Sequence, residues 1–124
     1  MNAPARPTKE ELLSRPIRHL DMTKHDVSPL IEQMRHTAFS GRDLARAADM
    51  YHRMLEDKEC GVILCLAGSL ISAGMKQIFV DMIRHNMVDA IVSTGANIVD
   101  QDFFEALGFQ HYIADDQYKA GLHD

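Results

Sequence analysis

The chain has 124 residues, 46% of them hydrophobic and 25% charged, with 13 basic and 18 acidic side chains and a formal net charge of −5. That length suits one domain, and the acid excess argues against a surface that tracks nucleic-acid phosphates. No apolar run approaches the roughly 20 residues that span a bilayer, so no membrane segment is expected.

In chain order, residues up to about Ile17 carry three of the four prolines. They read as a loosely held arm, with a helical turn at "EELL". The opening "MNAPARPTKEELL" lacks the apolar core of a secretory signal. The arm is taken as residues 1–27, ahead of a domain at 28–124. Ser28-Pro29 before "LIEQMRH" predicts a helix start, with Ser as cap and Pro at the first helical position. Ser40-Gly41-Arg42-Asp43 opens a second helix with an S-x-x-D capping pattern. Leu44, Ala47, Ala48, Tyr51 and Leu55 then form one apolar stripe, and these helices fill 28–57.

Val62 to Leu66 is a short unbroken apolar run, the pattern of a parallel strand covered on both faces. Cys65 fits there as a small core residue. Cys60 and Cys65 sit at or in this one strand, poorly placed to bridge, and read as reduced thiols of a cytoplasmic protein. A third helix carries Ile71, Met75, Ile78 and Met82 on one stripe and ends in "RHN", where His85 suits a C-terminal cap. Ala90 to Ser93 is a second strand. Asp100 caps a short helix with Phe103, Phe104 and Leu107 inward, closed by Gly108, and "HYIA" is a third strand.

Strand, helix, strand, helix, strand over 61–114 predicts an α/β chain. It is a Rossmann-like parallel sheet of βαβ units, preceded by an N-terminal helical segment. Three strands with both edges open are few for such a sheet. The tail "DDQYKAGLHD" closes no element, so the domain reads as incomplete.

In open parallel sheets, ligands bind at the carboxyl ends of the strands. Two loops lie there, "AGSLISAG" and "STGANIVD", both rich in small residues and both leading into a helix. Helix N-termini favour anions, small residues let a ligand approach the main chain, and hydroxyls offer donors. A nucleotide-like ligand fits these features; so do tight turns with close helix–sheet packing. Neither G-x-G-x-x-G nor G-K-[ST] is present. The seven histidines show no metal-binding spacing, and no metal is expected. Asp100, Asp102 and Glu105 cluster after the second loop. Asp100 is either a helix cap or a partner for a ribose hydroxyl. Ser69 has no base beside it and Lys76 reads as solvent-facing, so no catalytic residue is assigned in this chain.

The stretch "LAGSLISAGMKQIFVDMIRHNMVDAIVSTGANIVDQDFFEALG" resembles the deoxyhypusine synthase family, in the style of its bacterial deoxyhypusine-synthase-like branch. The L-I-S-x-G turn at Leu70 to Gly74, "HNMVDAIVSTGA" at His85 to Ala96 and the acidic helix start at Asp100 carry the resemblance. It extends more weakly back to "MTKHDVSPLIEQMRH". The resemblance implies an NAD-binding Rossmann-like fold and a homotetramer with sites between paired subunits. It implies a transferase that oxidises spermidine with NAD and passes the aminobutyl group to an enzyme lysine. From there the group goes to a lysine of translation factor 5A or to an amine such as putrescine. Carried over by motif, the cofactor contacts are Gly68, Ser69, Leu70 and Ser72, then Ser93, Thr94, Gly95 and Ala96, with Asp100 near the ribose. The first loop reads Ala67-Gly68-Ser69 where eukaryotic members have T-S-N. The family's lysine nucleophile has no counterpart here. The chain is thus expected to be inactive alone, completed by a missing C-terminal half or a second chain. The rival is a truncated, non-catalytic paralogue that binds a nucleotide or a subunit.

Overall fold

The computed structural model describes residues 8–113. Helices α1 (Lys9–Leu12), α2 (Ser28–Met34) and α3 (Phe39–Glu56) precede strand β1 (Ile63–Leu66), α4 (Lys76–Arg84), β2 (Ala90–Ser93) and α5 (Asp102–Ala106). Wide turns at Ile71–Met75 and Ala96–Gln101 lead into α4 and α5. Among the described residues no helix is long and apolar enough to cross a membrane.

β1 and β2 pair in parallel, with Ile63 opposite Ala90 and Leu66 opposite Ser93. Helix α4 makes the crossover, so β1–α4–β2 is a βαβ unit of an α/β chain. Phe79, Val80 and Ile83 of α4 line one apolar cleft with Leu66 and Ile91. Side chains alternate across a strand, and the other face is open. Ile63 (64% exposed), Val92 (60%), Cys65 and Ala90 lie on it. The unbroken apolar run of β1 is therefore covered on one face, and Cys65 is an exposed thiol rather than a core residue.

Several local expectations change. Ser28 is the first residue of α2 rather than its cap; Val27 holds the cap position with no side-chain bond, and Asp26 Oδ1 accepts the Ser28 N–H at 2.9 Å just ahead of the helix. Helix α3 starts at Phe39 after Ala38, with no side-chain cap, so Ser40 lies inside it. The nearby hydroxyl of Thr37 donates to Met34 O at 2.7 Å. Only Ala45 of α3 is buried; Leu44 and Leu55 on the predicted stripe are exposed. α2 is fastened to α3 by Arg35, which pairs with Asp49 and also lies 3.0 Å from Glu32. This pairing holds the Asp49 carboxyl below its usual range.

"HYIA" does not extend the parallel sheet. Tyr112 bridges Pro16 in antiparallel fashion, with Ile17 N–H donating to His111 O at 2.6 Å and Ile113 N–H to Arg15 O at 2.8 Å; residue 114 lies outside the described residues. Its partner strand comes from nearly 100 positions upstream, a pairing that local pattern cannot show. From Thr8 onward the arm is tied down accordingly. Thr8 and Glu11 form a capping box on α1, and Leu20 N–H donates to Gly74 O at 2.7 Å.

Gly74 has φ +95°, in the region that only glycine adopts without strain. A Cβ there would stand 3.0 Å from Arg18 O and 3.3 Å from Ile17 Cγ2. The missing side chain lets the N-terminal segment lie against the turn. Beside it, Glu105 (13% exposed) gathers three partners: Lys76 Nζ at 2.6 Å, His19 Nε2 at 3.1 Å and His111 Nδ1 at 3.2 Å. Lys76, expected to face solvent, is thus part of a half-buried ion pair between α4 and α5.

Candidate functional site

Because β1 and β2 are adjacent and parallel, their loops leave the sheet at one end. Thr94 N–H donates to Leu66 O at 3.2 Å and closes the ladder. Beyond that point side chains join the loops. Thr94 Oγ1 donates to Gly68 O at 2.9 Å. Asn97, 3% exposed, reaches across from the second loop to the first. Its Oδ1 accepts the Leu70 N–H at 2.7 Å and the Ile71 N–H at 3.4 Å. Its Nδ2 donates to Ser93 Oγ at 3.1 Å and Thr94 Oγ1 at 3.2 Å.

The residues expected to hold a cofactor are therefore drawn together, in different states. Gly68 has φ +73°, and among the described residues no atom beyond the chain neighbours and local helix backbone lies within 4 Å of a Cβ built on Gly68 or Gly95. That open space is what a ligand against the main chain requires. The N–H groups of Gly68 and Ser69 have no acceptor among the described residues. By contrast, the Leu70 N–H is taken by Asn97, and Leu70 itself is half-buried. Ser72 Oγ donates to Ser69 O at 3.1 Å, steadying the first loop from within. Ser93 Oγ accepts from Asn97 and donates to Thr94 O at 3.3 Å. Ala96 is half-buried at the start of the second turn. The Asp100 side chain lies outside the described residues.

Sequence reasoning passed over Asn97. It stands in "TGANI" between small residues and an apolar pair, and a polar residue at that junction was the available signal. It also changes the physical picture of the first loop. The amides that open the Ile71–Met75 turn are not a free anion site, since a neutral amide oxygen already fills them.

The deoxyhypusine synthase family model matches residues 29–121. The chain belongs to the deoxyhypusine synthase family. A deoxyhypusine synthase-like protein of Chlorobaculum parvum is 64% identical over 104 residues, covering 84% of this chain and 30% of that protein. One from Coxiella burnetii is 53% identical over 104 residues, with the same coverage. A probable deoxyhypusine synthase 2 of Methanosarcina acetivorans is 42% identical over 94 residues, covering 76% of this chain and 27% of that one. No solved structure matches the chain. The chain spans about 30% of the length of the Chlorobaculum and Coxiella relatives.

Proposed function

We propose that this chain supplies the NAD-holding loops of a deoxyhypusine-synthase-like transferase. The observation that carries the reading is the pair of small-residue loops, cross-linked side by side at the carboxyl ends of β1 and β2. Family membership supports it. Gly68 and Gly95 leave room for the cofactor, and the N–H groups of Gly68 and Ser69 donate to it. Ser72, Ser93, Thr94 and Ala96 shape the cradle, and Asp100 receives a ribose hydroxyl. When bound, NAD supplies the hydride acceptor for oxidising spermidine. The lysine that carries the aminobutyl group, and the acceptor lysine or amine, lie outside this chain. The assembly is cytoplasmic and oligomeric.

The open face of Ile63, Cys65, Ala90 and Val92 favours completion by further polypeptide, because parallel sheets are covered on both faces. The same face supports the second reading, a non-catalytic subunit-interaction module. Calorimetric titration of NAD separates them, run on the chain alone and on the chain mixed with the C-terminal remainder of the Chlorobaculum protein. NAD binding and NADH formation with spermidine in the mixture support the transferase. A stable mixture with no NAD binding supports the module instead.

A further inference from the structure

We propose that Asn97 is a positioning residue that sets the spacing of the two loops for the nucleotide, a role that rests on the reading that these loops bind NAD. A side-chain amide has two acceptor sites and two donors. Asn97 uses all of them: Leu70 N–H and Ile71 N–H on the oxygen, Ser93 Oγ and Thr94 Oγ1 on the nitrogen. At 3% exposure it has neither valence nor surface left for a ligand. Its work lies between the loops.

The need for such a residue follows from the topology. Each loop runs from its strand into its own wide turn, and the last main-chain rung is Thr94 N–H to Leu66 O. The groups offered to a ligand lie past that rung: the amides of Gly68 and Ser69 on one side, the open flank of Gly95 on the other. One ligand meets both only if the gap between them is fixed. Asn97 holds the start of the first turn through Leu70 and Ile71. Through Thr94 Oγ1, which in turn donates to Gly68 O, it also orients the link to the glycine itself. No other side chain does this at the same reach. Asp has no donor for the two hydroxyls, Gln is one methylene longer, and Ser has one oxygen for four partners.

The test is NAD titration of the chain, wild type and Asn97→Ala, mixed with the C-terminal remainder of the Chlorobaculum protein, with amide exchange followed residue by residue and urea unfolding measured in parallel. Loss of the clamp speeds exchange at Leu70 and Ile71 by about ten-fold or more. NAD affinity of the folded protein falls by a similar factor, while exchange in α3 is unchanged. A merely structural role lowers the unfolding midpoint and leaves the affinity of the folded fraction alone, and that result overturns the proposal. Unchanged exchange at Leu70 and Ile71 overturns it as well. If the wild-type mixture takes up no NAD, the cofactor reading fails and the positioning role with it, a different outcome from wild-type binding with an indifferent variant. Should Asn97→Ala not fold, Thr94→Val removes the Gly68 link and one Asn97 partner, leaving Leu70 and Ile71 bonded. Its NAD affinity is then expected to fall, and an unchanged affinity counts against the coupling.

Discussion

Lys76 Nζ lies 2.6 Å from Glu105 Oε2, joining the first residue of α4 to α5. His19 and His111 approach the same carboxylate from the segments before and after the domain's βαβ unit. Replacing Glu105 by Ala leaves three nitrogen-bearing side chains around a vacated, mostly buried position. The expected loss is about 2 kcal/mol, within the range for hydrogen bonds to charged groups. It is read as a lower urea midpoint at unchanged slope. A loss below about 0.5 kcal/mol would place the cluster with ordinary surface pairs.

The same carboxyl gives a pH dependence. Burial pushes Glu105 up, but Lys76, His111 and His19 outweigh it and hold it below its ordinary value of 4.5. A carboxyl lowered in the folded state adds stability that is fully present above its unfolded value and lost as the pH falls through its folded one. The stability gap between wild type and Glu105→Gln should therefore narrow as pH falls from about 5 to about 3. Glu11, Asp21, Asp26 and Asp49 are also lowered. They act equally in both proteins, so the gap isolates Glu105. A gap that widens on acidification would contradict the assignment.

Gly74→Ala combines two penalties. The left-handed backbone costs roughly 1–2 kcal/mol for a residue with a Cβ, and the new carbon meets a main-chain oxygen, Arg18 O, at 3.0 Å. A loss of about 2 kcal/mol is expected. Faster proteolysis within residues 15–20 should accompany it, because that segment lies on the glycine. Destabilisation without such cleavage would mean the segment is held from elsewhere.

The two loop glycines separate folding from binding. Gly95 has open space around it and no left-handed φ, so Gly95→Val should leave the unfolding midpoint nearly unchanged and abolish NAD binding. Gly68→Val has equal room but φ +73°, so it should lower both. Full NAD affinity in folded Gly95→Val removes the second loop from the site.

Val92→Lys places a charge on the open sheet face. In the chain alone it should change stability by no more than about 0.5 kcal/mol, as at other surface positions. It should block association with the C-terminal remainder of a relative, measured by native mass spectrometry. Normal association would move the interface off this face.

Elements with a strong local signature were legible from residues alone. β2 is a bounded apolar run at the expected positions, and α4 ends at "RHN" with Asn86 in the left-handed conformation. The loops after both strands were found because small residues cluster there. What escaped depends on distant partners. Asn97 reads as one more loop residue until its amide is seen across the sheet. "HYIA" has strand character, but its partner is Pro16. α3 starts at Phe39, one residue before Ser40, at φ +55°, a conformation that residues with a Cβ rarely adopt and that local sequence does not announce. The apolar run of β1 correctly announced a parallel strand, yet periodicity carries no information on which face this stretch of polypeptide covers by itself.

Cys65 stands on the uncovered face, between Ile63 and the strand's end and opposite Val92. Its thiol is thus a native chemical reporter, placed where no engineering is needed. Alkylation by a maleimide should be fast while the face is bare and slow once polypeptide lies over it. Half-buried Cys60 provides an internal reference in the same digest. One peptide map taken in a cell extract would then tell whether this surface spends its life covered or in water.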